Sequence, residues 1–511
     1  MKNLFKHISS FLQLPFKRDL GLFLLILLLL SLPEIHHQID QHAYVYTIYV
    51  LMMFFWIAYL IVLCLNIHKY IRYIFTPIFV ILLFIFTLLN ESCYILFGVQ
   101  INTDIASIIG GTNPNEIVEF LQSYISLPFA LILVIISITL FAFYFISTYR
   151  PIKISTKFVS FLTIILIVSI FSSIHNPGVL YSIKNENRWD FQFDQVVDLT
   201  KHHSIFQTEE TNKSHPAKVV VIIGESHSKS HSQLYGYKLQ NQPRLSIMHA
   251  NGDLLVFNNV KSPATYTTEA FKYILNTHLV KNKNNKNKWY DSVNIIEVFK
   301  KLGYKTRWIS NQQSVGMWDN IASGFSKLCD IQHFSEDSNE SLDEYCLKHV
   351  KIDANSRVKS LSIYHLMGQH EDFAERYPPR YDVFKEELYQ KYPEEQRKDR
   401  AHYDNATLYN DFIVSSIFNS YCNTDAVCLY FPDHGLDLYE SSYDFRGHAR
   451  LGNQNSIEAS LRIPLYVYLT PAFRKKNSNL EKMAILRQND PFTTDNIIHF
   501  VLELSGYKLS Y

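Results

Sequence analysis

Glu225 follows an unbroken apolar run, Val219-Val220-Val221-Ile222-Ile223-Gly224. Asp433-His434-Gly435 follows another, Val427-Cys428-Leu429-Tyr430-Phe431-Pro432. Two carboxylates and an imidazole are ligand types that suit a divalent ion such as zinc. Short apolar runs rich in β-branched residues read as buried strands of a parallel sheet. Sites in open α/β sheets form beyond the carboxyl ends of such strands. If both runs share one sheet, Glu225, Asp433 and His434 arrive at one edge. An Asp–His pair closing a turn is the plainer reading of the second motif alone; the two motifs together favour a metal centre.

A hydrolytic or transfer centre also needs a nucleophile. Ser226 and the cluster Ser262-Pro263-Ala264-Thr265-Tyr266-Thr267-Thr268-Glu269 offer hydroxyls. A hydroxyl is a weak nucleophile until a metal or base activates it. The same Ser and Thr residues could instead cap a helix over Glu269–Thr277. Both roles are compatible, since a threonine at a helix N-terminus presents its oxygen and the helix dipole to a phosphate. Two further histidine groups stand near these motifs: His365-Leu366-Met367-Gly368-Gln369-His370, after the strand-like Ser360–Tyr364, and Arg446-Gly447-His448. These imidazoles could bind phosphoryl oxygens or protonate a leaving group.

The elements that must position these residues divide the chain. It has 511 residues and a net charge of +1, so its size implies more than one domain and its charge gives no case for nucleic acid. Apolar stretches near 20–35, 44–66, 74–97, 124–147 and 158–174 read as five membrane spans, the first short and the last borderline. A cleaved signal peptide over 1–35 is disfavoured because no small-residue cleavage site follows. Lys2, Lys6, Lys17 and Arg18 precede span one, Lys69 and Arg72 follow span two, and Arg150, Lys153 and Lys157 follow span four. The loops 33–43 and 98–122 have no Lys or Arg. This alternation puts the N-terminus in the cytoplasm and everything after span five outside. The expected domains are 1–175, transmembrane; 176–217, a polar connector; and 218–511, an exported catalytic domain.

In that domain, apolar runs at Val219–Ile223, Leu254–Phe257, Thr306–Ile309, Ser360–Tyr364, Val427–Phe431 and Leu465–Leu469 alternate with helical patterns such as 294–302 and 403–420. This predicts an α/β domain with a mostly parallel sheet. Its four cysteines, Cys329, Cys346, Cys422 and Cys428, are even in number in an exported domain, which points to disulfides. Of three possible pairings, the local one, Cys329–Cys346 and Cys422–Cys428, is expected.

Taken together, Gly224-Glu225-Ser226 with Leu234-Tyr235-Gly236-Tyr237, Ser262-Pro263-Ala264-Thr265-Tyr266-Thr267, His365-Leu366-Met367-Gly368-Gln369-His370 with Arg376-Tyr377-Pro378, and Asp433-His434-Gly435 resemble one family in order and spacing. The chain resembles the membrane-bound phosphoethanolamine transferases of the alkaline phosphatase/sulfatase superfamily, which modify lipid A or lipopolysaccharide core. The resemblance covers the whole outer domain and the five-span anchor. It implies zinc held by Glu225, Asp433, His434 and a nucleophilic threonine. The family pattern Ser-x-x-Thr-x-Thr puts that threonine at Thr267, with Thr265 second. It implies phosphate- or second-metal-site roles for His370 and His448, and His365 is grouped with the substrate-binding residues. Thr112 and Glu116 resemble a Thr-x-x-x-Glu that meets the lipid head group; an interfacial helix with Glu116 and Glu119 on its polar face is the alternative. It implies a phosphatidylethanolamine donor, a lipopolysaccharide or lipooligosaccharide acceptor, and a bacterial inner-membrane protein with its catalytic domain in the periplasm.

Three departures bear on the acceptor. Pro263 replaces a cysteine that flanks the nucleophile in the lipid A enzymes, Ile108 stands where those enzymes often carry Asn, and Leu436-Asp437-Leu438-Tyr439 replaces Glu-Ser-Leu-Gly. They favour a core sugar over lipid A. The rival readings are a phosphoglycerol transferase of the same superfamily, a membrane-anchored sulfatase or phosphatase, and a scaffold protein without catalysis. No Cys/Ser-x-Pro/Ala-x-Arg formylglycine element accompanies the nucleophile cluster.

Overall fold

The computed structural model describes residues 11–40, 44–68, 70–97, 134–135, 138, 142, 155–175, 206–279, 289, 292–312, 321–335, 342–443, 445–449 and 453–510. These fall into two compact units, one holding the described residues up to His175 and the other those from Phe206 onward. Thr112, Glu116, Ile108 and the apolar stretch 124–147, apart from four isolated positions, lie outside the described residues.

The first unit contains α1 (Leu20–Asp40), α2 (Tyr44–Leu65), α3 (Thr76–Phe97) and α4 (Thr156–His175). These helices fall on four of the five apolar stretches. One described segment, Ile71–Tyr94, is long and apolar enough to cross a membrane. Leu20–Ile35, Val50–Leu65 and Thr156–Ile170 are shorter apolar helices. Phe23, Ile26, Leu29, Ala58 and Val62 form their shared core. Arg72 makes a two-pronged ion pair with Asp19, at 2.7 Å for each contact. Fork-on-fork geometry of this kind is the strong form of the Arg–carboxylate contact.

The second unit is built on a seven-stranded sheet. In chain order its strands are β1 (Lys218–Gly224), β2 (Leu254–Val256), β3 (Lys305–Ser310), β4 (Ile331–Phe334), β5 (Ser360–His365), β6 (Ala426–Pro432) and β7 (Tyr466–Leu469). In space they run β2-β7-β6-β1-β5-β3-β4. The five strands from β6 to β4 are mutually parallel, while β7 is antiparallel to both of its neighbours, so the sheet is mixed. Six of the seven strands coincide with the apolar runs of the sequence. The seventh, β4, is Ile-Gln-His-Phe, too polar to announce itself by composition.

Side chains on a strand alternate between faces. Val219, Val221 and Ile223 enter one core with Val427, Leu429 and Phe431, while Val220 and Ile222 enter a second core with Cys428 and Tyr430. Burial on both faces explains the continuous apolar runs. The 27-residue helix Glu394–Ser420, longer than its predicted span, covers the second face with Ala406, Tyr409, Ile413 and Ile417.

The expected disulfides do not form: all six cysteines are free. Cys329 belongs to the core on one face of the sheet and Cys346 to the core on the other, so the sheet separates them. Cys428 lies on β6 within the second core, and burial pushes its thiol pKa well up, which keeps the sulfur protonated and inert.

Candidate metal centre

The register of β1 against its neighbours assembles the centre. Gly224 pairs with Pro432 across β1 and β6, and Ile223 pairs with His365 across β1 and β5. The residues that follow therefore emerge side by side at one sheet edge. The Asp433 N–H donates to the Gly224 carbonyl at 3.0 Å, and the Gln369 N–H to the Glu225 carbonyl at 3.0 Å. Glu225, Asp433 and His434 are buried, and one potential ligand atom from each lies within 4.8 Å of the others.

Thr267 reaches this group from α5 (Thr267–Ile274), where it is the first helical residue. Its Oγ1 donates to Glu225 Oε2 at 3.1 Å and lies 3.3 Å from His434 Nε2. It is not spent on capping: the N-cap position is Tyr266, which makes no side-chain cap bond. Thr265 contributes its carbonyl, 3.3 Å from His448 Nδ1. Of the two candidate threonines, Thr267 meets the carboxylate and imidazole.

His434 Nδ1 lies 2.7 Å from the Gly435 carbonyl, the partner that fixes Nδ1 as the protonated nitrogen and turns Nε2 toward the carboxylates. Nε2 is 3.0 Å from Glu225 Oε1 and 3.5 Å from Asp433 Oδ2. Burial alone would lower the His434 pKa, but Asp433 and Glu225 carry it up to about 9. Burial opposes ionisation of Glu225 too, yet the charge and hydrogen bond of His434 hold its pKa well below the usual carboxylate range. Burial, with the adjacent Glu225 charge, pushes Asp433 up to about 8. Asp433 Oδ2 is buried and makes no hydrogen bond. Two carboxylates, an imidazole with Nε2 turned inward and an orphaned oxygen fit a divalent cation: such an ion would displace the Nε2 proton, satisfy Oδ2 and let both carboxylates ionise.

The remaining predicted histidines sit at different depths. The His448 ring meets His434 edge-on at 4.7 Å, and burial takes its pKa down to about 3. His370 donates its backbone N–H to the Met367 carbonyl at 3.1 Å, and its Nδ1 lies 3.4 Å from the Glu371 carbonyl. His365 packs edge-on against Phe271 and Trp308 at 5.2 and 5.7 Å, with Nδ1 3.3 Å from Ser310 Oγ. Burial lowers its pKa to about 4.

A profile of the sulfatase family matches residues 217–507. The chain belongs to the sulfatase family. Among characterised relatives it is similar to the phosphoethanolamine transferase EptC of Escherichia coli K12, 26% identical over 390 residues. That match covers 68% of this chain and 66% of EptC. It is also similar to the phosphoethanolamine transferase EptA of Helicobacter pylori, 26% identical over 440 residues and 79% of each chain. Among solved structures, the zinc complex of the C-terminal periplasmic domain of E. coli EptC aligns with a TM-score of 0.53 and 26% identity, over 60% of this chain and 86% of that one. The integral membrane lipooligosaccharide phosphoethanolamine transferase A of Neisseria meningitidis aligns over 98% of this chain and 96% of its own, with a TM-score of 0.65 and 18% identity, a likeness of fold.

Two contributors to this sulfatase-family centre escape a reading of the sequence. Gln312, two residues beyond β3, directs Nε2 to the Leu366 carbonyl at 3.0 Å and to Glu225 Oε2 at 3.5 Å. Its position after a parallel strand is the signal that could have found it. Gly368 has φ 52, and a Cβ there would stand 2.9 Å from the Glu225 backbone nitrogen. Both the left-handed conformation and the close approach require glycine.

Proposed function

We propose that the chain transfers phosphoethanolamine from phosphatidylethanolamine to a lipopolysaccharide or lipooligosaccharide acceptor, with a core sugar favoured over lipid A. The reading places the protein in a bacterial inner membrane with five spans and its catalytic domain in the periplasm. A membrane tether suits an enzyme whose donor is itself a lipid. The observation that carries the proposal is Thr267 Oγ1, set at a helix N-terminus against Glu225, Asp433 and His434. The similarity to EptC and EptA supports the choice of transferred group.

Glu225, Asp433, His434 and Thr267 would hold zinc, which when bound supplies Lewis acidity to lower the pKa of the hydroxyl and offset phosphoryl charge. In the first step Thr267 Oγ1 attacks the phosphorus of the donor. The hydroxyl proton is given up to water, because Glu225, held well below the usual carboxylate range, is a poor base. The new Oγ1–P bond replaces the bond from phosphorus to the diacylglycerol oxygen, which departs with a proton returned by water, so the step consumes no net proton. In the second step an acceptor hydroxyl attacks phosphorus, loses its proton and displaces Oγ1, restoring threonine. His370 and His448 bracket the phosphoryl group. His448 is neutral without substrate, and a phosphoryl anion beside it raises its pKa and makes it a donor.

The test is intact-protein mass spectrometry after incubation with phosphatidylethanolamine, wild type beside Thr267→Ala. The expected result is one added phosphoethanolamine on wild type only, mapped to peptide 262–272. Labelling that persists in Thr267→Ala and vanishes in Thr265→Ala moves the nucleophile. An adduct from phosphatidylglycerol but none from phosphatidylethanolamine overturns the proposal in favour of phosphoglycerol transfer.

A further inference from the structure

Helix α6 (Glu394–Ser420) touches three segments that bear on the centre. Asp399 pairs with Arg446 at 2.8 Å, two residues before His448. Thr407 Oγ1 accepts from Gln369 Nε2 at 3.3 Å. The tightest contact comes from Tyr403, fully buried, whose hydroxyl donates to the Ser226 carbonyl at 2.7 Å and accepts from the Ser228 N–H at 2.7 Å. One oxygen thus bridges both legs of the turn that leaves the metal site.

That turn is unusual. Ser226 has φ 55, a left-handed conformation uncommon for a residue with a side chain. Such backbone persists only where its surroundings over-determine it. From this conformation Ser226 Oγ donates to Glu225 Oε1 at 2.8 Å, the same oxygen that lies 3.0 Å from His434 Nε2. The Tyr403 ring is fixed in turn, edge-on to Phe373 at 5.0 Å and to His231 at 5.5 Å.

We propose that Tyr403 is a positioning residue for the metal ligand Glu225. Its hydroxyl locks Ser226 in the left-handed turn, and Ser226 Oγ in that turn orients the Glu225 carboxylate. The inference rests on the metal reading above. Without the hydroxyl, the Ser226 carbonyl and Ser228 N–H lose the partner they share, the turn relaxes, and Oγ swings away from Oε1. Groups that orient a metal ligand typically contribute about 10–100-fold to metal affinity.

The test uses the full chain in detergent, with zinc affinity measured by chelator competition and transfer measured as a separate kcat and KM. Tyr409→Phe is the control. Tyr409 lies on the same helix, is also buried, and its hydroxyl accepts a backbone N–H, that of Glu344 at 3.2 Å, and not that of Ser228. Tyr403→Phe should weaken zinc about 10–100-fold and lower kcat more than it raises KM, while Tyr409→Phe keeps wild-type affinity. Ser226→Ala, which leaves α6 untouched, should show a comparable loss, and the double variant less than the product of the two. Full zinc affinity in Tyr403→Phe or in Ser226→Ala, or an equal loss in Tyr409→Phe, overturns the inference alone. Failure of the wild type to bind zinc overturns the metal reading together with it.

Discussion

The helical unit and the α/β unit use apolar residues in opposite ways. In the helices, apolar side chains lie on the inside and the outside alike: Phe23 and Val62 are buried, while Leu28, Leu82, Phe86 and Ile164 are exposed. In the α/β unit the central strands of the sheet are apolar on both faces because both faces are covered, and the buried Glu225, Asp433 and His434 stand where two of them end. The first pattern matches an apolar surrounding medium, in which composition matters more than position. The second makes position decisive, since one residue beyond a strand is the difference between core and chemistry.

Acid should separate the two units most. His227, fully buried between the Tyr430 hydroxyl and Ser232, has its pKa lowered to about 3, first by burial and then by His231. The folded state resists the proton while the unfolded chain takes it up near 6.5, so stability is full above that value and falls as pH drops toward 3. The shift corresponds to about 4–5 kcal/mol at pH 3. Chemical unfolding of the α/β unit followed from pH 7 to pH 4 should show this slope, and His227→Gln should reduce it, leaving the share that His365 and His448 contribute in the same direction. An unchanged slope would break the assignment.

A charge in the helical unit comes next. Leu82, exposed on α3, should tolerate Ala or Phe with little effect. Leu82→Arg should lower membrane insertion by about 2.5–3.5 kcal/mol, read by a glycosylation-based insertion assay. Equal tolerance of Arg would mean that this face meets water and would collapse the contrast. In the α/β unit even one methyl group should matter at the right place. Gly368→Ala forces a left-handed alanine, a cost of about 1–2 kcal/mol, and presses a Cβ against the Glu225 backbone. Zinc affinity should fall while the secondary structure seen by circular dichroism stays the same.

The smallest expected effect is at the cysteines. Alkylation of the denatured, unreduced chain should modify all six, and reductant should leave the melting temperature unchanged. Four protected sulfurs would restore the disulfides that the sequence led us to expect.

How much was legible follows from these contrasts. Continuous apolar runs marked six of seven strands because those strands are buried, edge strand β2 with its Leu254, Leu255 and Val256 included, whereas the half-exposed edge strand β4 left no such trace. Glu225 and Asp433 were readable because each directly follows a run, with His434 next in the chain, so a local pattern fixes their place. The disulfide expectation failed because parity and compartment say nothing about which side of a sheet a cysteine faces; Cys329 and Cys346 lie on opposite sides.

By itself the sequence determined the division into an apolar helical part and an α/β part, the strand ends that carry Glu225, Asp433 and His434, and the hydroxyl cluster, since all of these are local patterns of composition and period. Only the tertiary structure decided which strands are neighbours, which of two threonines meets the carboxylate, and that Gln312, Gly368 and Tyr403 serve the same centre. Those contacts join residues from tens to more than two hundred positions apart, and their geometry comes from sheet register and helix packing, which no local run of residues encodes.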